Sequence, residues 1–262
     1  MQSIPTQEYW VNTDHGRLYA KRWLSPAEQA NTHPPIVLFH DSLGCVALWR
    51  DFPSQLAQAT GRDVIAYDRL GFGRSDAHPG KLERDFIRDE ARDGVSQLRS
   101  QLGIDAFVAF GHSVGGGMAV GCAAAYPTDC TALITESAQA FVEERTLQGI
   151  REAQVSFWQP GQIERLARYH GDKASWVLHA WVGTWLAPDF AGWNLDDELR
   201  RVTCPVLAIH GDQDEFGSTL QPQRIAARVE GHSTVEIFAG VGHVPHREST
   251  DAVLALVTAW LS

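Results

Sequence analysis

Residues 106–125, AFVAFGHSVGGGMAVGCAAA, constrain the fold of this chain more than any other stretch. The run Ala106–Phe110 is apolar, short and bounded like a buried strand. It passes through Gly111-His112-Ser113-Val114-Gly115 into small, helix-compatible residues. A Gly-x-Ser-x-Gly pattern between a strand and a helix predicts a sharp, strained turn with the serine hydroxyl exposed at its apex. Glycine is needed two residues before and after, because a Cβ there collides with neighbouring backbone. Gly116, Gly117 and Gly121 extend this reading. Glycine inside a helix costs about 1 kcal/mol relative to alanine, so the run predicts close packing of helix on sheet. The helix N-terminus also aims amide N–H groups at the turn, which favours negative charge there.

Around this element the chain alternates strands and helices. Glu8–Asn12 and Arg17–Trp23 read as a hairpin about Asp14-His15-Gly16, followed by a polar connection over 25–35. Ile36–His40, Val64–Asp68 and Ala132–Thr135 read as strands. Trp49–Ala59 and Arg84–Leu102 have helical spacing. Such alternation predicts a parallel sheet with crossover helices. Between 140 and 194 the rhythm breaks into helical patterns carrying Trp158, Trp176, Trp181, Trp185 and Trp193. It resumes with a strand at Pro205–His210, a helix near Gln221–Val229, a strand at Val235–Phe238 and a helix from Thr250 to Trp260. The expected organisation is therefore a core of 1–139 and 195–262, with 140–194 as a helical lid at the carboxyl edge of the sheet, where open α/β sheets bind ligands.

A serine hydroxyl becomes a useful nucleophile when a base takes its proton, and an imidazole oriented by a carboxylate is the usual base. Asp214 follows the strong strand 205–210 and is the preferred acid. Asp212, two residues nearer the strand, and Glu136, at the end of the preceding strand, are its competitors. His243, in the glycine-flanked loop Gly240-Val241-Gly242-His243, is the preferred base over His246, which is expected to pack at the start of the last helix. His112 and His210 read as structural. His15, His33, His78, His170, His179 and His232 read as loop or surface residues. Attack on a carbonyl also requires donors for the oxyanion. The backbone N–H of Val114 is one, and the loop His40-Asp41-Ser42-Leu43-Gly44 offers the other through Ser42.

Composition narrows the partners. The formal net charge of −10 argues against a nucleic-acid surface, which needs a basic patch. No apolar run reaches the ~18 residues of a spanning helix. The first ten residues, MQSIPTQEYW, show no basic segment followed by an apolar one. Cys45, Cys122, Cys130 and Cys204 lack paired spacing and read as free thiols, so a cytoplasmic protein is expected. The expected partner is a small molecule, with no cofactor or metal, in a monomer or weak homo-oligomer.

Leu38–Gly44, Asp68–Ser75, Gly111–Gly117, His210–Asp214 and Gly242–Glu248 occur together and in this order. In that respect the chain resembles the α/β-hydrolase fold family over essentially its whole length. The resemblance implies a mostly parallel eight-stranded sheet flanked by helices, with a helical lid after the sixth strand, and a serine triad. Asp68–Ser75 matches a turn that is structural in the family. Asp41 departs from the family, which usually has glycine there. Serine at position 113 argues against the dehalogenase and epoxide hydrolase branches, which use aspartate. Val244 argues against the carbon–carbon hydrolases of aromatic degradation, which usually carry an aromatic residue after the histidine. The lid, with Gly149-Ile150 and its tryptophans, is similar to that of biphenyl-hydrolase-like amino-acid ester hydrolases. Those carry an acidic residue after the nucleophile, where this chain has Val114.

The expected activity is hydrolysis of a small carboxylic ester, thioester or lactone through an acyl-enzyme. Carbon–carbon bond hydrolysis or cofactor-free perhydrolysis is the alternative among enzymes. A slow-turnover ligand receptor that retains the triad is the alternative of another class. Asp41, Glu136, Trp158, Trp181 and Trp185 are the candidate substrate contacts.

Overall fold

The structure, a computed structural model, describes residues 4–26 and 33–262. The connection expected over 25–35 falls largely outside the described residues. The chain opens with the hairpin β1 (Thr6–Thr13) and β2 (Gly16–Trp23), then β3 (Ile36–Phe39), α1 (Phe52–Thr60) and β4 (Val64–Tyr67). Two short helices follow, α2 (Phe86–Asp89) and α3 (Gly94–Leu102). Then come β5 (Phe107–His112), α4 (Val114–Ala125) and β6 (Cys130–Glu136). The helices α5 (Glu144–Phe157), α6 (Gln162–His170) and α7 (Ala174–Trp185) stand between β6 and the short α8 (Asp196–Leu199). The chain closes with β7 (Val206–Gly211), α9 (Leu220–Arg228), β8 (Ser233–Phe238), α10 (Pro245–Glu248) and α11 (Thr250–Leu261).

The eight strands form one sheet in the order β1-β2-β4-β3-β5-β6-β7-β8. It is mixed: β1 and β2 run antiparallel to their neighbours, and the remaining pairings are parallel. The inner parallel strands β3, β4, β5 and β7 are buried on both faces, as crossover helices require, and the edge strand β8 is half-buried. In β3, Ile36 and Leu38 pack with Trp49, Phe52 and Leu56 of the α1 side. Val37 and Phe39 pack with Val114, Met118 and Ala119 on the opposite face. This two-sided core holds β5 at the centre of the sheet, so its carboxyl end is a fixed point for chemistry.

Two elements differ from expectation. The helix expected over Arg84–Leu102 is broken between α2 and α3. Glu90 turns inward there to accept a hydrogen bond from the Tyr67 hydroxyl at 2.8 Å. A Cβ on Gly94 would meet the Glu90 carboxylate at 2.2 Å, so the inward turn needs glycine at that position. The second difference is His170, expected at the surface but fully buried at the end of α6. Its Nδ1 accepts the Gly73 N–H at 2.9 Å, and its Nε2–H donates to the Leu43 carbonyl at 3.0 Å. One imidazole thus ties α6 to the Asp68–Ser75 turn and to the loop after β3.

The segment 140–194 leaves and re-enters the core at adjacent points, joined by the bridge Phe141↔Asn194. Its base is aromatic: Trp185, Phe190 and Trp193 pack together, with Phe190 and Trp193 stacked at 5.4 Å. Two of its indoles, Trp185 and Trp193, serve this packing. Trp176 stacks on His78 and donates from its Nε1–H to the Gly80 carbonyl at 2.8 Å. Among the described residues, no helix is long and apolar enough to cross a membrane. All four cysteines are free and buried.

Candidate active site

The turn after β5 is built as the glycine spacing requires. Ser113 has φ 57 and ψ −126, a left-handed conformation that costs a non-glycine residue about 1–3 kcal/mol. Two close approaches hold it. A Cβ on Gly111 would meet the Gly115 carbonyl oxygen at 2.1 Å, and one on Gly115 would meet the Phe39 carbonyl oxygen at 2.2 Å. The Ser113 N–H donates to the Glu136 carbonyl on β6 at 2.9 Å. Val114 begins α4, so its N–H is among the first four helix donors, which have no partner within the helix.

Ser113 opens into a cavity of about 190 Å³. Its polar lining includes Asp41, Ser42, Ser113 and His243, and its apolar lining includes Ile150, Trp181, Trp185 and Phe216. Asp214 lies behind His243 with no exposed surface. His243 Nδ1 is 2.8 Å from both carboxylate oxygens of Asp214. A carboxylate only accepts, so the His243 proton sits on Nδ1 and the Nε2 lone pair is free. Asp214 Oδ1 also accepts the N–H groups of Phe216 at 2.7 Å and Gly217 at 3.2 Å. Burial opposes ionisation of Asp214, but His243 and these donors outweigh it and hold the carboxyl below its ordinary value. The loop bearing His243 is pinned on both sides by Glu248, which accepts from Gly242 N–H at 2.7 Å and from Val244 N–H at 2.9 Å. The Ser113 hydroxyl is directed to Gln139 Oε1 at 3.4 Å, and it shares the cavity with His243.

Of the other acids considered, Asp212 accepts the Gly240 N–H at 2.7 Å, which ties the loops after β7 and β8 together. Glu136 and His246 are paired beneath the turn, with His246 Nδ1 2.5 Å from Glu136 Oε2. Both are buried and neither lines the cavity, so Glu136 is not placed to touch a substrate. It points to the α1 side, where His246 packs on Trp49 and Phe52. Trp158 is also far from its expected place: it is 71% exposed at the end of α5 and does not line the cavity. Trp181 and Trp185 do line it, as does Asp41.

The residues that sequence reasoning missed are Gln139, Thr146, Ile150 and Phe216. Gln139 lies three residues past the end of β6, and Phe216 lies two past Asp214. Position after a strand end was the available signal for both. Three buried donor side chains, His112, Glu136 and His246, lie within 4.8 Å of one another, the closest approach to a metal-ligand set among the described residues. Glu136 Oε2 pairs with His246 Nδ1 and His112 Nε2–H donates to the His243 carbonyl at 2.8 Å, while among the described residues Glu136 Oε1 and His246 Nε2 find no hydrogen-bond partner.

His112 also faces Asp41, with 3.5 Å between Nδ1 and Oδ2. Burial disfavours the charged imidazole, but Asp41 and Glu136 outweigh it and raise the His112 pKa above 6.5. Because the folded value is the higher one, this contribution to stability is full below about pH 6.5 and is lost as pH rises through the folded pKa. Asp41→Asn keeps an acceptor for the Leu43 N–H, now bonded to Oδ1 at 2.8 Å, and removes only the charge. The melting-temperature deficit of this variant is therefore expected to be larger at pH 6 than at pH 9. Equal deficits in thermal melts at the two pH values would show that His112 carries no charge that Asp41 compensates.

A strand-to-helix serine turn, a carboxylate-bound imidazole and an apolar cavity at the carboxyl edge of a mixed α/β sheet define a class, and comparison with known proteins bears this out for the fold. The family model described as "alpha/beta hydrolase fold" matches residues 34–195. The chain belongs to the α/β-hydrolase fold family. It is 30% identical to the 1-acylglycerol-3-phosphate O-acyltransferase ABHD5 of Sus scrofa over 47% of this chain, but spans only 35% of that protein's length. It is 28% identical to the serine hydrolase BPHL of Mus musculus, over 80% of this chain and 74% of that one. Its structure is similar to that of the proline iminopeptidase of Mycobacterium smegmatis, with a TM-score of 0.71 and 20% identity over 97% of each chain.

Proposed function

We propose that this protein is a serine hydrolase that cleaves a small, largely apolar carboxylic ester, thioester or lactone through an acyl-enzyme. The observation that carries the reading is that Ser42, Ser113 and His243 line one cavity, with Asp214 bonded to His243 behind it. The name of the mouse relative, a serine hydrolase, supports the same reading.

In this reading the Ser113 hydroxyl turns from Gln139 to His243 Nε2 and attacks the substrate carbonyl carbon as its proton passes to Nε2. The new oxyanion takes the N–H groups of Ser42 and Val114. The carbonyl re-forms and the bond to the leaving group breaks, while the imidazolium returns the proton to the leaving oxygen or sulfur. Water then repeats the sequence against the acyl-enzyme, with His243 as its base, and releases the acid. Asp214 keeps the proton on Nδ1 and stabilises the imidazolium. The helices of 140–194 act as a lid whose Ile150, Trp181 and Trp185 cover the acyl or alcohol group.

The cavity sets a selectivity. A cationic group needs a carboxylate to replace its lost hydration, since an unpaired buried charge is very costly. An apolar group needs only area, worth about 25 cal/mol per Å² removed from water. Val114 is uncharged, Glu136 lies under the sheet edge, and Asp41 is already committed to Leu43 and His112. A butyrate ester is therefore expected to have a higher kcat/KM than its 2-amino analogue, measured where the amine is charged. A preference for the amino ester would refute this selectivity and would identify Asp41 as the amine partner. The function itself is tested by turnover of p-nitrophenyl butyrate together with labelling of Ser113 by a fluorophosphonate. Multiple turnovers without acylation of Ser113, or no turnover on any short ester or lactone, would reject it.

A further inference from the structure

Three bonds of the loop after β3 converge on one atom, the carbonyl oxygen of Asp41. It accepts from His40 Nδ1 at 2.8 Å, from Arg69 Nη2 at 3.0 Å and from the Gly44 N–H at 3.2 Å. That carbonyl belongs to the same peptide unit as the Ser42 N–H. A trans peptide is planar, with C=O and N–H pointing in opposite directions. Anchoring the oxygen on the Arg69 side therefore aims the N–H the other way. Ser42 lies on the cavity wall, and among the described residues its N–H is given to no protein acceptor.

Arg69 acts on this peptide twice. Its main-chain N–H donates to His40 Nε2 at 3.2 Å. With Nε2 an acceptor, the His40 proton must sit on Nδ1, the nitrogen that faces the Asp41 carbonyl. Burial and the Arg69 charge both keep His40 neutral. The Arg69 guanidinium then adds its own bond to the same oxygen. It is only 3% exposed and lies over the Phe72 ring at 4.0 Å, and its Nε has no partner. A buried cation is a costly anchor for a loop that neutral donors could hold. It is a useful one if negative charge develops on the far side of the peptide, because a polarised carbonyl makes its own N–H a stronger donor.

We infer that Arg69 is a positioning residue for the oxyanion hole: it orients and polarises the Asp41–Ser42 peptide so that the Ser42 N–H meets the transition-state oxyanion. The inference rests on the reading of Ser42 as an oxyanion donor. It gives the Asp68–Ser75 turn a part in the reaction beyond its structural one. His170 supports the same loop one residue further on, through the Leu43 carbonyl.

Arg69→Met removes the guanidinium, keeps the side-chain bulk against Phe72 and leaves the main-chain bond to His40. On p-nitrophenyl butyrate its kcat is expected to fall by about 10–100-fold, less than the ~10²–10³ that follows direct loss of a donor. KM should stay within about twofold, the pattern of an interaction made only in the transition state. Binding of 1-butaneboronic acid, whose tetrahedral adduct places an oxygen in the hole, should weaken by the same factor as kcat. Arg69→Lys, which keeps the charge and is also the fallback if the methionine variant does not fold, should recover part of both losses. A purely structural role would lower the melting temperature and leave boronate affinity and kcat together unchanged in the folded fraction, and that result would overturn the proposal.

The second arm replaces the Asp41–Ser42 amide by an ester, by incorporating the α-hydroxy analogue of serine at position 42. Full kcat in the ester protein would overturn the Ser42 reading and the role of Arg69 with it. Loss of kcat in the ester protein with full kcat in Arg69→Met would overturn the role of Arg69 alone. Loss in both, with the double variant little worse than the ester protein, is the expected outcome.

Discussion

Ser113→Ala is expected to lower kcat by about 10⁴–10⁶-fold and to leave the fold intact. The substitution removes one oxygen whose only hydrogen bond among the described residues is the 3.4 Å contact to Gln139. The strained backbone at this turn is held from outside, by the close contacts of Gly111 and Gly115, and alanine meets the same φ penalty as serine. Stability should therefore change by no more than about 1 kcal/mol. Among the described residues, the other hydroxyls that line the cavity are those of Ser42 and Thr146. Both lie on other elements, away from the N–H of Val114. The measurement is steady-state turnover of a short ester by folded variant, with intact-mass detection of fluorophosphonate adducts. Residual activity within tenfold of wild type, or an adduct on the variant, would place the nucleophile elsewhere.

The serine turn was legible because its requirement is local. Glycines two residues either side of Ser113 are demanded by contacts of 2.1 and 2.2 Å, and any chain that folds this way must show them. The order Ser113, Asp214, His243 was legible for a related reason: each follows a strand, and strand ends share one edge of the sheet. What was hidden depends on contacts across sequence distance. Glu136 ends a strand as Asp214 nearly does, and nothing local shows that it is sealed against His246, 110 residues away. His170 looked like a helix-end surface residue, yet its partners are 97 and 127 residues distant. The break at Glu90 came from a tertiary bond to Tyr67 overriding helical periodicity. Tryptophan content alone did not sort the indoles of 140–194. Trp181 and Trp185 reach the cavity from the apolar α7, and Trp158, just past the end of the polar α5, faces solvent.

Asp214→Asn is expected to cost about 10⁴ in kcat with little change in KM, and the surroundings of the carboxylate explain why asparagine cannot adapt. Oδ1 is fixed as an acceptor by the N–H groups of Phe216 and Gly217. The asparagine carbonyl must take that place, which turns the NH₂ group toward the Oδ2 position and His243. Oδ1 is as near to His243 Nδ1 as Oδ2 is, but it already accepts two N–H groups, so the NH₂ group donates to the Nδ1 lone pair and the imidazole proton moves to Nε2. In the proposed mechanism that is the nitrogen that receives the Ser113 proton. Amide reversal is blocked twice, because it would set the NH₂ against two N–H donors and leave both buried groups unpaired. In the wild type the depressed pKa of Asp214 keeps the carboxylate charged below its ordinary range, so its contribution to stability is full above the ordinary carboxyl value and is lost as pH falls through the folded one. The control is the neighbouring pair. Glu136→Gln and His246→Ala disturb buried packing on the other side of the sheet edge, so they should lower stability while the folded fraction keeps kcat within about tenfold. Steady-state kinetics corrected for active-site titre separates the two patterns. A loss near 10⁴ for Glu136→Gln with Asp214→Asn spared would move the catalytic acid to β6.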